Sequence, residues 1–412
     1  MFRSAPALLL LGACLLMPAP CAPAAGGCPP PDFHAGRSAT LHARLDLALP
    51  RLLSQYQVPG TALALVEDGR VAWQRGYGLA EPASGVAVTP RTLFQAASDS
   101  KPVTAWLALE LVQRGRVRLD APIEDALGGW RLPPSRWDAG GVTLRRVLSH
   151  TAGLSIPGYG GFPPGQPVQT LLESLAGAAD AGGRPLAIVA APGAGFAYSG
   201  GGYTLTQLMI RRVTGRPFAD VARERVLKPL AMTDSSFPSE PAPSPPLAWT
   251  FDADGRHAPP RRFTALAAAG LQTTAGDLGR FVAALMPGPC GEPAGRGLLA
   301  PAMIDAMLTP QPNSDNDLVL SDSRYGLGLA LKRLPSGRLL AYHPGDNLPD
   351  WHNLIAALPE RRAGLVLMTN AAGGRHMRVA VLCTWLAALG EPLPETCRTL
   401  GIAGDRPLKA AD

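Results

Sequence analysis

One stretch of the chain reads Gln95-Ala96-Ala97-Ser98-Asp99-Ser100-Lys101-Pro102-Val103-Thr104-Ala105. Apolar residues then recur at helical spacing as far as Gly115, which predicts a helix over residues 98–114. Pro102 lies in the first turn of this helix, where proline is tolerated. On a helix, residues three positions apart share one face, so the amine of Lys101 could reach the hydroxyl of Ser98.

A serine followed three residues later by a lysine has the minimum chemistry for a covalent acyl-enzyme. The chain has four lysines among its 38 basic residues, so a lysine at this position is informative. Lys101 must lose its proton to act as a base, and burial near cationic donors would lower its pKa. The N–H groups at a helix N-terminus would favour the negative charge that develops during attack by Ser98. Taken alone, the pair also fits a capping serine beside an exposed lysine.

The composition describes a globular protein. Of the 412 residues, 46% are hydrophobic and 17% are charged, which allows a large core and argues against extensive disorder. The net charge of +6 is modest, and without a run of five basic residues we expect no binding of nucleic acid. The sequence contains no His-Glu-x-x-His, Cys-x-x-Cys or Gly-x-Ser-x-Gly, which argues against zinc sites and a nucleophile elbow.

The first 25 residues have the parts of a secretory signal peptide. Arg3 supplies the positive start, residues 7–17 form the apolar run, and Ala22 and Ala24 offer a small-residue cleavage site. The apolar run is too short to span a membrane, and no later segment offers 18 uninterrupted apolar residues. We therefore expect an exported protein, periplasmic or secreted, with no stable membrane span. An uncleaved anchor or a different start codon is the alternative.

The cysteines fit an exported protein in two ways. Cys14 ends a stretch that resembles a lipobox, which leaves a lipoprotein open as an alternative. After cleavage four cysteines remain, and export would allow them to be oxidised. Cys383 and Cys397 are close in sequence and flank a turn region rich in glycine and proline, which makes them the better candidates for a disulfide. Cys28 and Cys290 are the remainder, and four free thiols are the alternative.

Strands are predicted near both ends of the chain. A helix over residues 39–56 precedes two apolar runs, residues 60–66 and 70–76, and the Asp68-Gly69 pair between them is a strong hairpin signal. Further strands are predicted over residues 325–331, 339–343, 352–358 and 363–368, and a last helix over residues 376–389. Gly390 follows that helix, as expected for a helix end.

Helical patterns fill the middle of the chain. Beyond the first helix we expect helices over residues 204–213, 219–227 and 277–285, with residues 238–246 and 287–297 as surface loops. Strands at both ends and helices between them predict an α+β fold, with one antiparallel sheet from both termini and a large helical insertion. The expected domain covers residues 26–400, with the sheet from about 39–80 and 325–390, the helical part at about 95–285, and a tail at 401–412. Its functional cleft would lie between sheet and helices.

Two further segments could complete a site around Ser98 and Lys101. The second segment reads Ala197-Tyr198-Ser199-Gly200-Gly201-Gly202-Tyr203, and the third reads Tyr342-His343-Pro344-Gly345-Asp346-Asn347. A tyrosine beside a glycine-rich turn can project its phenol into a cleft and relay protons. His343 could bind a carboxylate or polarise a proton, and Gly345 would let a substrate backbone lie against the strand edge. A surface tyrosine and a structural histidine are the alternatives.

Together the three segments resemble the motifs of the penicillin-recognising serine hydrolases, which include class C β-lactamases, D-Ala-D-Ala carboxypeptidases and β-lactamase-like (family VIII) esterases. The hallmarks of that family are Ser-x-x-Lys, then Tyr-x-Asn or Tyr-Ser-x, then Lys-Thr-Gly or His-x-Gly. Residues 148–154, 228–232 and 268–278 are similar to three further family segments, among them Leu-Ser-His-Thr-Ser-Gly-Leu. The similarity runs from about Leu41 to Leu389.

The resemblance implies a fold of the β-lactamase/transpeptidase type and a role for each residue. Ser98 would be the nucleophile, Lys101 the general base for acylation, and Tyr198 the residue that moves the proton. His343 would stand on the strand that lines the cleft, where many relatives place a lysine. The backbone N–H groups of Ser98 and Asp346 would form the oxyanion hole. The resemblance implies no metal or organic cofactor.

The resemblance also implies a substrate-binding wall formed by Gly345, Gly200 and Asn347, and the chain departs from the family pattern there. Gly200 stands where many relatives carry asparagine, and the third motif begins with His343, not lysine. Both changes would weaken binding of an anionic β-lactam carboxylate. Esters, D-amino peptides and β-lactams stay open as substrates. A second class also stays open, a non-catalytic protein that binds penicillin or cell-wall peptides.

Overall fold

The computed structural model describes residue 1 and residues 35–81, 83–238, 247–251, 256–347 and 351–400. The predicted signal peptide, the lipobox with Cys14, residue Cys28 and the tail at 401–412 lie outside the described residues. Most of the predicted loop at 238–246 lies outside them too.

The described residues contain twelve strands and eleven α-helices. The strands are β1 (Gly60–Glu67), β2 (Arg70–Glu81), β3 (Val86–Ala87), β4 (Phe94–Gln95), β5 (Thr250–Phe251), β6 (His257–Ala258), β7 (Gln272–Thr273), β8 (Arg324–Tyr325), β9 (Ala330–Arg333), β10 (Leu339–Asn347), β11 (Trp351–Leu358) and β12 (Ala363–Thr369). The helices are α1 (Ala35–Gln55), α2 (Ser100–Gln113), α3 (Leu144–Leu148), α4 (Leu171–Gly177), α5 (Gly200–Thr214), α6 (Phe218–Ala222), α7 (Leu266–Ala269), α8 (Ala275–Ala284), α9 (Pro301–Met307), α10 (Gly374–Ala388) and α11 (Glu395–Thr399).

Eight strands form one antiparallel sheet in the order β3-β2-β1-β12-β11-β10-β9-β8. The hairpin near the start of the chain pairs directly with the last strand, so that Leu63 of β1 lies opposite Leu367 of β12. Both ends of the chain therefore build one sheet, and the segment between β3 and β8 is a mainly helical insertion. This arrangement confirms the α+β architecture expected from the sequence.

The sheet is covered on both faces, which explains why residues 62–66 of β1 are all apolar. Leu63 and Leu65 point to the face covered by α1 and α10, where they join a core that includes Trp385. Ala64 points to the opposite face, where α8 and the helical insertion build a larger core that includes Trp106 of α2. The larger core is the one that supports the beginning of α2.

One strand prediction was wrong. Residues 325–331 do not form a continuous strand, because β8 ends at Tyr325 and β9 begins at Ala330. A Cβ atom on Gly326 would lie 2.0 Å from the carbonyl oxygen of Met307, and one on Gly328 would lie 2.6 Å from the Cβ of Ala105. Both positions therefore require glycine, and the bend between the two strands packs closely against its neighbours.

The strand β10 is longer than predicted, because it continues through Pro344 to Asn347. The neighbouring strand β9 pairs with β10 only as far as Tyr342. From His343 onward β10 therefore has an unpaired edge, and proline is tolerated on such an edge.

The α-helix expected over 219–227 is shorter than predicted, since α6 ends at Ala222 and a wider turn of π-helical type follows.

The described cysteines are all oxidised. Cys383 of α10 and Cys397 of α11 form a disulfide with a sequence separation of 14, and Cys290 is disulfide-bonded as well. None of the described helices combines the length and the hydropathy needed to cross a membrane.

The first prediction concerns the bridge between α10 and α11. Replacing both residues in the double variant Cys383→Ala/Cys397→Ala should lower the free energy of unfolding by about 3 kcal/mol, because a closed loop of this length restricts the unfolded chain. Urea denaturation followed by circular dichroism measures the change. The bond at Cys290 stays intact in both proteins and serves as the internal control. An unchanged unfolding midpoint would contradict the prediction.

Candidate active site

Ser98 lies in a short 3-10 turn over residues 97–99 that leads into α2. The α-helix itself begins at Ser100, so the prediction of a continuous helix from Ser98 was wrong by two residues. Ala97 has a φ of +52°, a left-handed conformation that is strained for a residue other than glycine. The hydroxyl of Ser100 holds the turn, because it donates to the carbonyl of Ala97 and accepts from the N–H of Leu271.

The structure brings Ser98 and Lys101 into contact. The Nζ atom of Lys101 lies 2.9 Å from Oγ of Ser98 and donates to the carbonyl oxygen of Ala268 at 2.8 Å. Burial lowers the pKa of Lys101 to about 7, although the nearby Asp99 and Asp346 raise it. A neutral amine can keep donating to Ala268 while its lone pair accepts the proton of Ser98.

Tyr198 is the third member of this group. The Nζ atom of Lys101 lies 4.9 Å from the centre of its ring, and the side chain of Ser98 is near enough to influence the pKa of the phenol. Burial raises the pKa of Tyr198, and the neighbouring side chain of Ser98 lowers it by less. The phenol is therefore protonated near neutral pH, where it can both donate and accept a hydrogen bond.

His150 supports Tyr198, and the sequence did not identify it as a site residue. Its Nδ1 atom accepts a hydrogen bond of 3.0 Å from the backbone N–H of Ser199. Its ring centre lies 4.2 Å from that of Tyr198. Burial, followed by the charge of Lys101, holds the pKa of His150 well below its usual range, so the imidazole is neutral. The Leu-Ser-His-Thr-Ala-Gly-Leu stretch at 148–154 was the sequence signal that pointed to it.

His343 lies on β10, close to the turn that carries Ser98. Both His343 and Asp99 are fully buried, and Nδ1 of the imidazole lies 3.5 Å from Oδ1 of the carboxyl group. Burial lowers the pKa of His343 to about 3, and the charge of Lys101 contributes in the same direction. A neutral, buried imidazole does not supply the positive charge that binding of a substrate carboxylate would need, so that interpretation of His343 finds no support here.

The three residues expected to bind substrate have different surroundings. A Cβ atom on Gly345 would lie 2.4 Å from the carbonyl oxygen of Ala96, so glycine lets β10 lie against the turn that holds Ser98. Gly200 is buried in the first turn of α5, and a Cβ atom there would contact the ring of Tyr159 at 3.3 Å. Asn347 ends β10, and its Nδ2 atom has no hydrogen-bond partner among the described residues.

The side chain of Asp346 is engaged away from Ser98. Arg378 of α10 donates to its carboxylate, and His352 of β11 shares a hydrogen bond with the same oxygen. Burial would raise the pKa of Asp346, but the contacts with His352 and Arg378 outweigh it and lower the pKa to about 2. The carboxylate therefore anchors this part of β10, and the use of the Asp346 N–H in an oxyanion hole stays a prediction.

Among the described residues, no group of three or more His, Cys, Asp or Glu could hold a metal ion.

The Beta-lactamase family model matches residues 41–382 of the chain. The chain is 33% identical over 215 residues to esterase EstB of Burkholderia gladioli, covering 49% of this chain and 53% of that protein. It is 31% identical over 194 residues to penicillin-binding protein 4 of Amycolatopsis lactamdurans, covering 47% of this chain and 49% of that protein. The chain thus spans about half the length of these curated relatives.

Two solved structures share the fold of the chain. The octameric penicillin-binding protein homologue from Pyrococcus abyssi aligns with a TM-score of 0.70 at 24% identity, covering 85% of this chain and 77% of that chain. The crystal structure of SurE with D-Leu aligns with a TM-score of 0.67 at 26% identity, covering 86% of this chain and 76% of that chain. The expected fold of the β-lactamase/transpeptidase type is confirmed.

The second prediction concerns Gly345. The variant Gly345→Ala should lose about 1–3 kcal/mol of folding free energy, because the added methyl group forces β10 away from Ala96 or moves the turn. Denaturant unfolding measures the loss. Gly158→Ala is the matched control, since a Cβ atom there meets nothing within 4 Å. Equal stability of the two variants would show that the close approach of β10 is not a constraint.

Proposed function

The chain belongs to the beta-lactamase family of serine hydrolases, and we propose that it acts through an acyl-enzyme formed on Ser98. The observation that carries the proposal is the 2.9 Å contact between Ser98 and the buried amine of Lys101. Burial lowers the pKa of this amine to about 7, so a large fraction of it is unprotonated near neutral pH. An unprotonated amine next to a serine hydroxyl is an activated nucleophile.

The residues of the site divide the chemistry of acylation between them. Lys101 takes the proton of Ser98 as Oγ attacks the carbonyl carbon of the substrate. The N–H groups of Ser98 and Asp346 donate to the oxygen that becomes negative. Tyr198, beside Lys101, gives a proton to the leaving group as its bond to the carbonyl carbon breaks, and Lys101 returns the proton of Ser98 to the phenol. A water molecule then hydrolyses the ester on Ser98, with the same groups acting in reverse.

Carboxylic esters are the substrates that the site favours. An ester needs no cation beside the scissile bond, and His343, neutral with a pKa of about 3, offers none. The similarity to esterase EstB supports the same class. A D-amino peptide is the second candidate, because SurE, a neighbour in fold, was solved with D-Leu. Rapid hydrolysis of anionic β-lactams is the least favoured activity.

We also propose that the protein is exported, to the periplasm or outside the cell. The oxidised state of Cys290, Cys383 and Cys397 supports this, since disulfides persist in oxidising compartments. N-terminal sequencing of the protein from a secreting host tests the proposal. A mature chain that starts just after residue 25 agrees with it, and recovery of the full-length chain from the cytoplasm contradicts it.

The third prediction concerns the nucleophile. Wild-type protein should hydrolyse a chromogenic short-chain ester faster than a reporter penicillin or a D-Ala-D-Ala peptide, and Ser98→Ala should abolish all three activities. Ser84→Ala, at an exposed serine, is the control and should keep the wild-type rate. Intact mass after mixing separates the alternatives. A lasting adduct without turnover would indicate a binding protein, and turnover by Ser98→Ala would refute the assignment.

The fourth prediction concerns pH. Because only the neutral form of Lys101 accepts a proton, kcat/KM should rise with pH and reach a plateau above the pKa of about 7. Lys101→Arg should lower kcat about 1000-fold, since a guanidinium stays protonated throughout this range. Initial rates between pH 5 and 9 give the profile. A rate that is flat or falls as pH rises through 7 would contradict the role of Lys101 as a base.

A further inference from the structure

Asp99 and His343 face each other in the interior beneath the Ser98 turn. Both side chains are fully buried, and Nδ1 of His343 lies 3.5 Å from Oδ1 of Asp99. Neither carboxyl oxygen and neither ring nitrogen has a hydrogen-bond partner within the part of the chain that the structure describes. Buried polar groups are nearly always satisfied, so two unsatisfied groups in contact point to an interaction between them.

The surroundings of Asp99 favour its protonated form. Burial raises the pKa of its carboxyl group well above the usual range, and Asp346 acts in the same direction. Arg378 and Lys101 oppose this effect, but neither cation donates a hydrogen bond to the carboxyl group. An ionised carboxylate without a donor is costly in an apolar interior. A carboxylic acid, however, has an O–H group that itself needs an acceptor.

His343 is placed to be that acceptor. Burial and the charge of Lys101 lower its pKa, the Pro344 carbonyl and Asp346 raise it by less, and Arg378 makes the smallest contribution, which lowers it. The imidazole is therefore neutral, with a proton on one nitrogen and a lone pair on the other. The nitrogen that faces Asp99 is Nδ1. A lone pair on Nδ1 places the proton on Nε2.

We propose that Asp99, as a carboxylic acid, donates a hydrogen bond to Nδ1 of His343 and fixes the imidazole in the tautomer that carries its proton on Nε2. Asp99 is then a positioning residue, because it acts through His343. The centre of the imidazole ring lies 6.3 Å from that of Tyr198, which places the neutral imidazole beside the site.

The position of the proton on His343 can be measured whether or not the proposed function is correct. The expected effect on kcat rests on the proposed function. The first measurement therefore uses the wild-type protein without substrate. Nitrogen NMR of the protein labelled in histidine, with His343→Gln to assign the signal, reports which ring nitrogen carries the proton. We expect a proton on Nε2 and a lone pair on Nδ1 between pH 6 and 8. A proton on Nδ1 would mean that His343 does not accept a hydrogen bond from Asp99 at this nitrogen and would overturn the proposal.

The second measurement uses variants of Asp99. Asp99→Ala removes the donor and should lose the tautomer preference, with kcat lowered at least about tenfold and KM little changed. Asp99→Asn keeps an N–H donor and should keep the Nε2 tautomer and most of kcat. A wild-type tautomer and kcat in Asp99→Ala would overturn the proposal. If this variant does not fold, the wild-type spectrum decides.

Asp277→Asn is the matched control. Asp277 is a buried carboxylate of α8 that accepts hydrogen bonds from Asp234, Ser235 and Arg280, so its loss weakens the fold without touching His343. We expect this variant to lose stability and keep the wild-type tautomer. A tautomer change in Asp277→Asn would mean that the signal reports general destabilisation and would remove the support for Asp99. An inactive protein with the Nε2 tautomer would reject the proposed function alone.

Discussion

The site depends on the close approach of β10 to the turn that carries Ser98. A side chain at Gly345 would collide with the carbonyl of Ala96 and, at 2.9 Å, with Oδ2 of Asp99. The same approach places His343 beside Asp99 and leaves the edge of β10 unpaired by β9 where a substrate would lie. Behind the sheet, the ion pair between Asp346 and Arg378 fixes this end of the strand. Gly345 is therefore required for the packing of β10 against the Ser98 turn, independently of any contact with a substrate.

Burial then determines the charges of the site. Water is excluded from Lys101, Asp99 and His343, and in each case burial is the largest influence on the pKa and favours the neutral form. A neutral lysine can act as a base, and a neutral histidine cannot replace the cation that many relatives carry. The same physical cause thus supports the acyl-enzyme proposal and the preference for uncharged substrates.

Much of the fold was predictable, because it depends on local patterns. Both terminal hairpins and the helix before Gly390 follow from apolar periodicity and turn residues, and the sheet joins them as expected. The bend at Gly326 and Gly328 was missed because two glycines in an apolar run give the same sequence pattern in an extended strand and in a bend. The two positions require glycine because they contact Met307 and Ala105, which are distant in sequence.

The site was predictable in part. The contact between Ser98 and Lys101 was predictable from their spacing of three residues, although Ser98 lies in the 3-10 turn before α2. Asp99 was missed because its importance depends on burial against His343, which is distant in sequence. His150 lies in a stretch that the sequence did single out, but its contact with the ring of Tyr198 is set by the fold. The charge of His343 was not predictable for the same reason, since burial is a property of the fold, and its role in polarising a proton stays a prediction.

The most direct test of the account is the identity of the acylated residue. A slow ester mixed with the protein, quenched in acid within one turnover and digested, can be analysed by tandem mass spectrometry. The account predicts one modified peptide, with the acyl group on Ser98. An acyl group on any other residue, or turnover without any acylated peptide, would contradict it.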